Sequence, residues 1–337
     1  MDEKPLVSII IPVRNEGKYI DQCLQHIMAQ DYQHDRIEVI VVDGHSDDGT
    51  REVVRKYIEK NYNIRMFDNE RKIVPVAMNI GIKASQGDFI IRVDARCFIA
   101  PDYVSKCVHY LKTTGAWNVG GRQQPVDEGT ILSKLIALAT TSPFGIGGSK
   151  FHYSEKAQYV DTVYLGAYPR WVLDKVGYYN ESLIRNQDYE LNYRVRAAGG
   201  KIFFSPDICS VYIGRQTLRK FIKQYFQYGF WKVRVIKMHP ASIKIRHLVV
   251  PVFISVIILC IILGFWDIDF FIFSCIMILA YIFASIFASF ISMRKSDWWT
   301  IFLLPVLFVL LHSSWGTGFF WSLITIFIPP EKVFYSH

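Results

Sequence analysis

Paired cysteines, glycine-rich phosphate loops and the common hydrolase motifs are all missing from this 337-residue chain. Its six cysteines (Cys23, Cys97, Cys107, Cys209, Cys260 and Cys275) form no C-x-x-C pair and no zinc spacing. They read as reduced packing residues, which puts the soluble part in a reducing compartment. No G-x-G-x-x-G follows the first apolar run and no G-x-x-x-x-G-K-[ST] occurs, which argues against a dinucleotide enzyme and a P-loop NTPase. H-E-x-x-H and G-x-S-x-G are absent too. There is no excess of acid: 38 Lys and Arg face 30 Asp and Glu, and 51% of residues are hydrophobic. That composition excludes a disordered or acidic interaction protein and a collagen-like chain. No secretory leader is expected, because Met1-Asp2-Glu3-Lys4 is followed by an apolar run of only Val7 to Ile11. The expectation is that the globular part stays on the side where it is made.

Charge is present but unevenly placed. Residues 1–246 hold 35 of the Lys and Arg and 26 of the Asp and Glu, a net of +9, whereas residues 247–337 hold 3 and 4. The tail contains three long apolar runs, 248–266, 268–291 and 298–328. Each is long enough to cross about 30 Å of hydrocarbon. The third is broken by Pro305, His312, Gly316 and Gly318, and two readings are open for it: one span, or a re-entrant pair of short helices. Arg215, Arg219, Lys220, Lys223, Lys232, Arg234, Lys237, Lys244 and Arg246 precede the first run. The first connector has only Asp267 and Asp269, and the second has Arg294 and Lys295. This alternation predicts a multi-pass protein of the cell membrane with residues 1–246 in the cytoplasm.

The soluble part shows no internal repeat and alternates strand and helix patterns. Val7–Pro12, Glu38–Asp43 and Asp88–Asp94 read as apolar strands. Helical spacing follows at Ile20, Cys23, Leu24 and Ile27, at Val53, Val54, Tyr57 and Ile58, and at Val104, Cys107, Val108 and Leu111. The pattern predicts an α/β fold: a mostly parallel, Rossmann-like sheet covered by helices on both faces. Ligands of such sheets lie beyond the carboxyl ends of the strands. Arg14, Asn15 and Glu16 follow the first strand, Asp43 ends the second, and Asp94 and Arg96 follow the third. Carboxylates at strand ends suit a nucleotide diphosphate carried with a divalent metal.

Four segments, VSIIIPVRNE, VVDGHSDDGT, AMNIGIKASQGDFIIRVDA and NQDYELNYRVRAAG, resemble in order and spacing the family 2 inverting glycosyltransferases of the GT-A fold. The resemblance covers about residues 6–235. Within that family, SPFGIGG, RNQDYELNYR, QYFQYGFWK and the apolar tail resemble membrane-attached exopolysaccharide glycosyltransferases of the succinoglycan-biosynthesis type. The resemblance implies that Pro12, Arg14 and Glu16 line the base and ribose, and that Asp43 contacts the base. The neighbouring carboxylate of the family motif is Gly44 here. Asp94 matches the first member of the family's Asp-x-Asp metal motif, implying Mg2+ or Mn2+ as cofactor. The third member is Arg96, which cannot ligate a metal. Either Asp94 then works with water and phosphate oxygens, or Arg96 takes part of the diphosphate charge. Asp188 matches the catalytic base. Gln187, Gln224, Trp231 and Lys232 are candidates for the acceptor or diphosphate.

The chemistry is consistent with so few groups. Attack on an anomeric carbon opposite a diphosphate needs one base for the acceptor hydroxyl. The leaving diphosphate needs cations rather than an acid. Plainer readings stand beside these. Asp43 could be a turn former, and Asp94 and Arg96 a structural ion pair. Asp188 and Glu190 could be dipole partners of a helix start after Asn186. Gly145, Gly147 and Gly148 are either a flexible loop or an acceptor-side loop. His26, His34, His109 and His239 read as surface or packing residues. The expected layout is a catalytic domain over 1–214, a basic, aromatic interfacial segment over 215–246 and a transmembrane region over 247–337. The expected activity is inverting transfer from a nucleotide sugar, UDP-linked, to a polyprenyl-linked glycan. Expected partners are the bilayer and other glycan-assembly membrane proteins, not nucleic acid. A polyprenyl-phosphate sugar synthase, a processive synthase and a non-catalytic nucleotide-binding scaffold are the rivals.

Overall fold

The computed structural model describes residues 4–60, 62–126, 129–214, 217–293, 297–330 and 333. Arg215, Arg294 and Lys295, used above for orientation, lie outside the described residues. In chain order the first elements are β1 (Val7–Val13), α1 (Ile20–Met28), β2 (Ile37–Asp43), α2 (Thr50–Glu59), β3 (Ile64–Asp68), α3 (Val74–Ala84) and β4 (Phe89–Arg92). Then come β5 (Cys97–Ile99), α4 (Tyr103–Thr113), β6 (Asn118–Pro125), α5 (Ile131–Thr141) and α6 (Pro143–Ile146). After these follow β7 (Gln158–Tyr159), β8 (Tyr164–Pro169), α7 (Arg170–Val176), α8 (Gln187–Ala197) and β9 (Ile202–Tyr212). The C-terminal part is helical: α9 (Leu218–Met238), α10 (Ile245–Leu263), α11 (Ile268–Met293) and α12 (Thr300–Ile324).

These elements form two compact units, one from residues up to Val126 together with 150–213, the other from 127–149 together with 214 onward. The first unit is a single sheet in the order β3-β2-β1-β4-β8-β6-β9-β5, with β7 added alongside β9. β1, β2, β3 and β4 pair in parallel, as the apolar, β-branched runs of β1, β2 and β4 predict for those three. Beyond β4 the sheet is mixed: β8 runs antiparallel to both β4 and β6, while β6 and β9 are parallel. A parallel neighbour needs a crossover back to the same end, and β8 instead enters from the opposite end. On one face α1 and α4 bury Ile20, Cys23, Leu24, Val104 and Cys107 in the cluster containing Ile9, Ile11 and Val39. On the other, Met78 and Ile82 of α3 and Leu191 and Val195 of α8 share a cluster with Ile10 and Ile90. Each side chain of this size buried from water contributes about 1.5–3 kcal/mol.

The second unit is built on helix pairs. Phe221 and Tyr225 of α9, Leu135, Ile136 and Ala139 of α5, and Leu304, Leu307, Phe308 and Leu311 of α12 form one buried cluster. Residues 129–149, which linear reading puts inside the catalytic domain, therefore pack with the C-terminal helices. The cause is the apolar face of α5, which matches a stripe on α12. Two glycines let α9 and α12 approach at backbone distance. A Cβ on Gly229 would lie 1.9 Å from the Trp315 carbonyl oxygen, and one on Gly318 would lie 2.0 Å from that of Phe226. The end of α12 is closed by cations from α9: Arg234 donates to the Thr325 and Ile326 carbonyls (2.6 and 2.9 Å) and Lys237 to Ile326 (2.9 Å). α10, α11 and α12 are each long and apolar enough to cross a membrane. The third apolar run forms one continuous helix, not a pair of short ones, and its His312 is met by the Tyr281 hydroxyl (2.8 Å) and the Phe144 carbonyl (3.1 Å).

Candidate active site

The site begins where β1 and β2 end. Their register sets Val13 opposite Asp43, so loops 14–17 and 44–49 leave the sheet side by side. Each then supplies what the other's backbone lacks. Asn15, in the left-handed region at φ +53°, donates its amide to Ser46 Oγ (2.8 Å), and its side-chain oxygen accepts from the Asp47 amide (3.1 Å). The Glu16 amide donates to Thr50 Oγ1 (2.9 Å) and the Gly17 amide to Asp48 Oδ2 (2.9 Å). Gly17 must be glycine, since a Cβ there would sit 2.5 Å from the Asp48 carbonyl oxygen.

Asp43 lies beneath these loops, fully buried. It accepts from the Ser46 amide (3.0 Å), the Ser46 hydroxyl and Arg51 (2.9 Å), which also holds Asp68 (2.6 Å). Its carboxylate thus shapes the loop from below, and a nucleobase reaches it only if Ser46 turns away. Gly44 also has a local reason. A Cβ there would stand 3.2 Å from the Arg14 Cβ, so the Arg14 stem lies where a second carboxylate would start. Arg14 itself is exposed, and Pro12 is half-buried within β1.

At the end of β4 the polar groups pair differently from the plainer reading of an Asp94–Arg96 ion pair. Arg96 does not pair with Asp94. Its Nε donates to Glu16 Oε2 (2.6 Å), and its guanidinium lies over the Tyr19 ring (5.1 Å). Asp94 is held by Arg92 instead, from Nε to Oδ1 (2.8 Å), and its Oδ2 faces the Tyr164 hydroxyl at 3.5 Å. The same guanidinium reaches Asp188: Nη1 donates to both carboxylate oxygens, at 2.7 and 2.9 Å. The Arg92 side chain is only 9% exposed, whereas that of Asp188 is 41% exposed. One buried cation therefore joins the two carboxylates that the motifs point to. Arg92 was missed in the sequence. The signal was a lone charge inside the apolar run FIIRV, which a buried strand tolerates only with partners.

Asp188 is placed by the start of α8. Asn186 takes a left-handed conformation (φ +60°) and turns the chain into the helix. Although 41% of its side chain is exposed, desolvation pushes the Asp188 carboxyl above the ordinary carboxylate range; Arg92 opposes the shift and Asp94 adds to it. Glu190 is in a different position. It is buried and grips Arg194 with both oxygens (2.8 and 2.9 Å), while Arg194 donates to the carbonyls of Val176, Gly177 and Tyr178. Glu190 thus anchors the preceding loop. Gln187, the first residue of α8, is buried.

No group of three or more Asp, Glu, His or Cys side chains that could hold a metal occurs among the described residues. Asp94 has one oxygen on Arg92 and the other facing the Tyr164 hydroxyl, so it would offer a cation one carboxylate oxygen beside a guanidinium, and any ion there would draw its other ligands from phosphates and water.

The other predicted residues belong to the second unit. Gln224 donates to the Tyr228 hydroxyl (2.7 Å). Trp231 and Lys232 lie in the stretch 229–235 of α9, which is buried throughout. An interfacial helix would leave one side of that stretch open. Burial pushes the Lys232 ammonium down to about 7, with the charge of Arg246 adding to the effect. Gly145 is buried, Gly147 has φ +61°, and a Cβ on Gly148 would lie 2.9 Å from an Arg246 nitrogen. His26 stacks on Phe98 (5.4 Å) as a packing residue.

Known proteins carry the same pattern. The family profile described as Glycosyl transferase family 2 matches residues 8–163. A dolichyl N-acetyl-alpha-D-glucosaminyl phosphate 3-beta-D-2,3-diacetamido-2,3-dideoxy-beta-D-glucuronosyltransferase of Methanococcus voltae is 31% identical over 242 residues, covering 68% of this chain and 74% of that one. The succinoglycan biosynthesis protein ExoA of Rhizobium meliloti is 29% identical, covering 71% and 73%. Among solved structures, a mannosyltransferase of Pyrobaculum calidifontis in complex with GDP-mannose and Mn2+ superposes with a TM-score of 0.64 at 17% identity, covering 96% of this chain and 88% of that one. At that identity the likeness concerns the fold, which is GT-A.

Proposed function

This chain belongs to glycosyltransferase family 2, and from that premise we propose that it moves a sugar from a nucleotide sugar onto a lipid-linked glycan, with inversion at the anomeric carbon. The observation that carries the reading is the bridge Asp94–Arg92–Asp188. It sets a donor-side carboxylate and a half-exposed base candidate on one buried cation. Asp188 takes the proton of the acceptor hydroxyl as its oxygen bonds to the anomeric carbon. The bond from that carbon to the diphosphate breaks, and the leaving oxygens keep the electron pair. Direct displacement at one centre inverts it. Asp94 would hold a divalent ion, which neutralises charge on the departing diphosphate. Glu16, Arg14 and the cross-linked loops 14–17 and 44–49 form the nucleoside side, with Asp43 fixing the second loop.

The lipid-linked acceptor is supported by the names of the two relatives, one acting on a dolichyl-linked sugar phosphate and one in succinoglycan biosynthesis. It is supported too by three helices able to cross a membrane. In this reading the protein is a multi-pass membrane protein with the sheet unit in the cytoplasm, where nucleotide sugars are made. The UDP-linked donor remains part of the reading. The experiment is product analysis. Full-length protein in lipid is given UDP- and GDP-sugars with polyprenyl-linked glycans, and the products are read by mass spectrometry and anomeric NMR. The expected product is an extended lipid-linked glycan of inverted configuration from a UDP-sugar. A retained configuration would exclude the single displacement. Transfer only to polyprenyl phosphate itself would favour a polyprenyl-phosphate sugar synthase, and no turnover at all a scaffold.

A further inference from the structure

We propose that Arg92 is a positioning residue for the transfer reaction, aiming the Asp188 carboxylate at the acceptor by fixing it to the donor-side Asp94. The inference deepens the function proposed above and rests on Asp188 being the base.

The argument starts from the cost of the arrangement. A guanidinium that is 9% exposed at the end of a central strand is expensive to bury unless its donors are engaged. Here the donors are divided. Nε serves Asp94 at 2.8 Å, and Nη1 serves both oxygens of Asp188 at 2.7 and 2.9 Å. A rigid planar fork can hold two carboxylates at fixed angles; a lysine ammonium in the same place is a point donor on a flexible stem. The partners are 96 residues apart in sequence. The bridge therefore joins the end of β4 to the start of α8, the two elements that carry the donor-side and acceptor-side chemistry in this reading. Asp188 lies one residue after the first helical position and has a left-handed Asn186 upstream. Helix geometry alone leaves the rotation of its carboxylate undetermined, and Arg92 fixes it. Beside the bridge, Tyr179 hydrogen-bonds Asp188 and the Tyr164 hydroxyl faces Asp94 at 3.5 Å.

An effect that Arg92 exerts through Asp188 has a signature that its hold on Asp94, or a merely structural role, lacks: it vanishes when Asp188 is gone. The test is a double-mutant cycle on the full-length protein in lipid, with kcat expressed per molecule competent to bind nucleotide. Asp188→Asn should lower kcat by about 10²–10⁴-fold. Arg92→Gln should lower it by about 10²-fold, the effect of a base displaced by about an ångström. Arg92→Lys should fall nearly as far, since it keeps the charge but not the fork. In the Asp188→Asn background, Arg92→Gln and Arg92→Lys should each change the residual rate by no more than about twofold.

Losses that multiply in the double variants would overturn the proposal while leaving Asp188 as base. Wild-type turnover in Arg92→Lys or Arg92→Gln would overturn it as well. If Arg92→Gln does not fold, the lysine variant decides by the same cycle. If neither folds, Arg92 holds the fold rather than the base, and the proposal fails. Near-normal turnover in Asp188→Asn would sink the base assignment itself, and this inference with it.

Discussion

Arg96 donates from Nε to Glu16 Oε2 at 2.6 Å, and by doing so ties the loop after β4 to the loop after β1. The arginine at the third place of the metal motif thus has a partner in the nucleoside-side loop. Arg96→Ala should loosen loop 14–17 and weaken nucleotide binding. The lost charge-assisted bond should cost about 1.5–3 kcal/mol at most. The metal requirement should be unaltered, because Arg96 makes no contact with Asp94. A metal titration of Arg96→Ala that differs from wild type would show that Arg96 shares the diphosphate charge after all.

Asp94→Ala should abolish the benefit of added Mg2+ or Mn2+, and excess chelator should lower wild-type turnover. With only one carboxylate available, Mn2+ alone should bind weakly, and much more tightly once a nucleoside diphosphate is present. Calorimetry with and without UDP reads this directly. Full activity in excess EDTA would sink the metal assignment.

Asp188→Asn keeps the side chain's size and removes its charge. Turnover should drop by about 10²–10⁴-fold, with UDP affinity and melting temperature nearly unchanged. A carboxylate serving only the start of α8 predicts the opposite: normal turnover and a loss of about 0.5–2 kcal/mol. Desolvation raises the carboxyl, so the base form is lost at a higher pH than for an ordinary aspartate. The acid limb of kcat/KM should lie correspondingly high.

Far from the site, Glu38 is buried at the start of β2 and accepts from Ser8, Arg65 and the amides of Gln86 and Gly87. Burial pushes its carboxyl up, but these bonds outweigh burial and bring it below the usual range. A depressed carboxyl contributes stability above its unfolded value and loses it as pH falls through the folded one. Glu38→Gln should cost about 1–3 kcal/mol near neutral pH, with the difference from wild type shrinking as pH drops below 4. Melting curves at pH 7 and pH 3.5 measure both halves of this statement.

Gly229→Ala should strain the α9–α12 contact, where a Cβ would meet the Trp315 carbonyl oxygen. Overpacking of this kind costs about 1–3 kcal/mol. The melting temperature of the full-length protein should fall, and an unchanged value would mean that the helices separate without penalty.

Much of this was legible in the chain, for definite reasons. β1, β2 and β4 announce themselves because strands buried on both faces are unbroken runs of Ile and Val. Asp43, Asp94 and Asp188 were identifiable because they stand at the ends of such runs or inside a familiar motif. β3 was missed: Ile64–Asp68 alternates Arg and Asp with apolar residues, as a strand at the sheet's edge does. The mixed second half of the sheet was missed because direction depends on which end a strand enters, and no local pattern records that. The pairing of Arg96 with Glu16, and of Arg92 with two carboxylates, depends on side chains up to 96 residues apart. Spacing along the chain does not encode it. The place of α5 was missed for the same reason, since its partner stripe on α12 lies in a different part of the sequence.

That last contact has a consequence in time. α5 ends at Thr141 and its apolar partners on α12 begin at Leu304. A ribosome adding about 5–20 residues per second needs on the order of ten to thirty seconds to pass from one to the other. During that interval Leu135, Ile136 and Ala139 have been made and the surface that covers them has not. The nascent chain must therefore carry an unsatisfied apolar helix until α12 is delivered. Anything that delays that delivery should leave the protein open to a holding chaperone or a protease at α5 first.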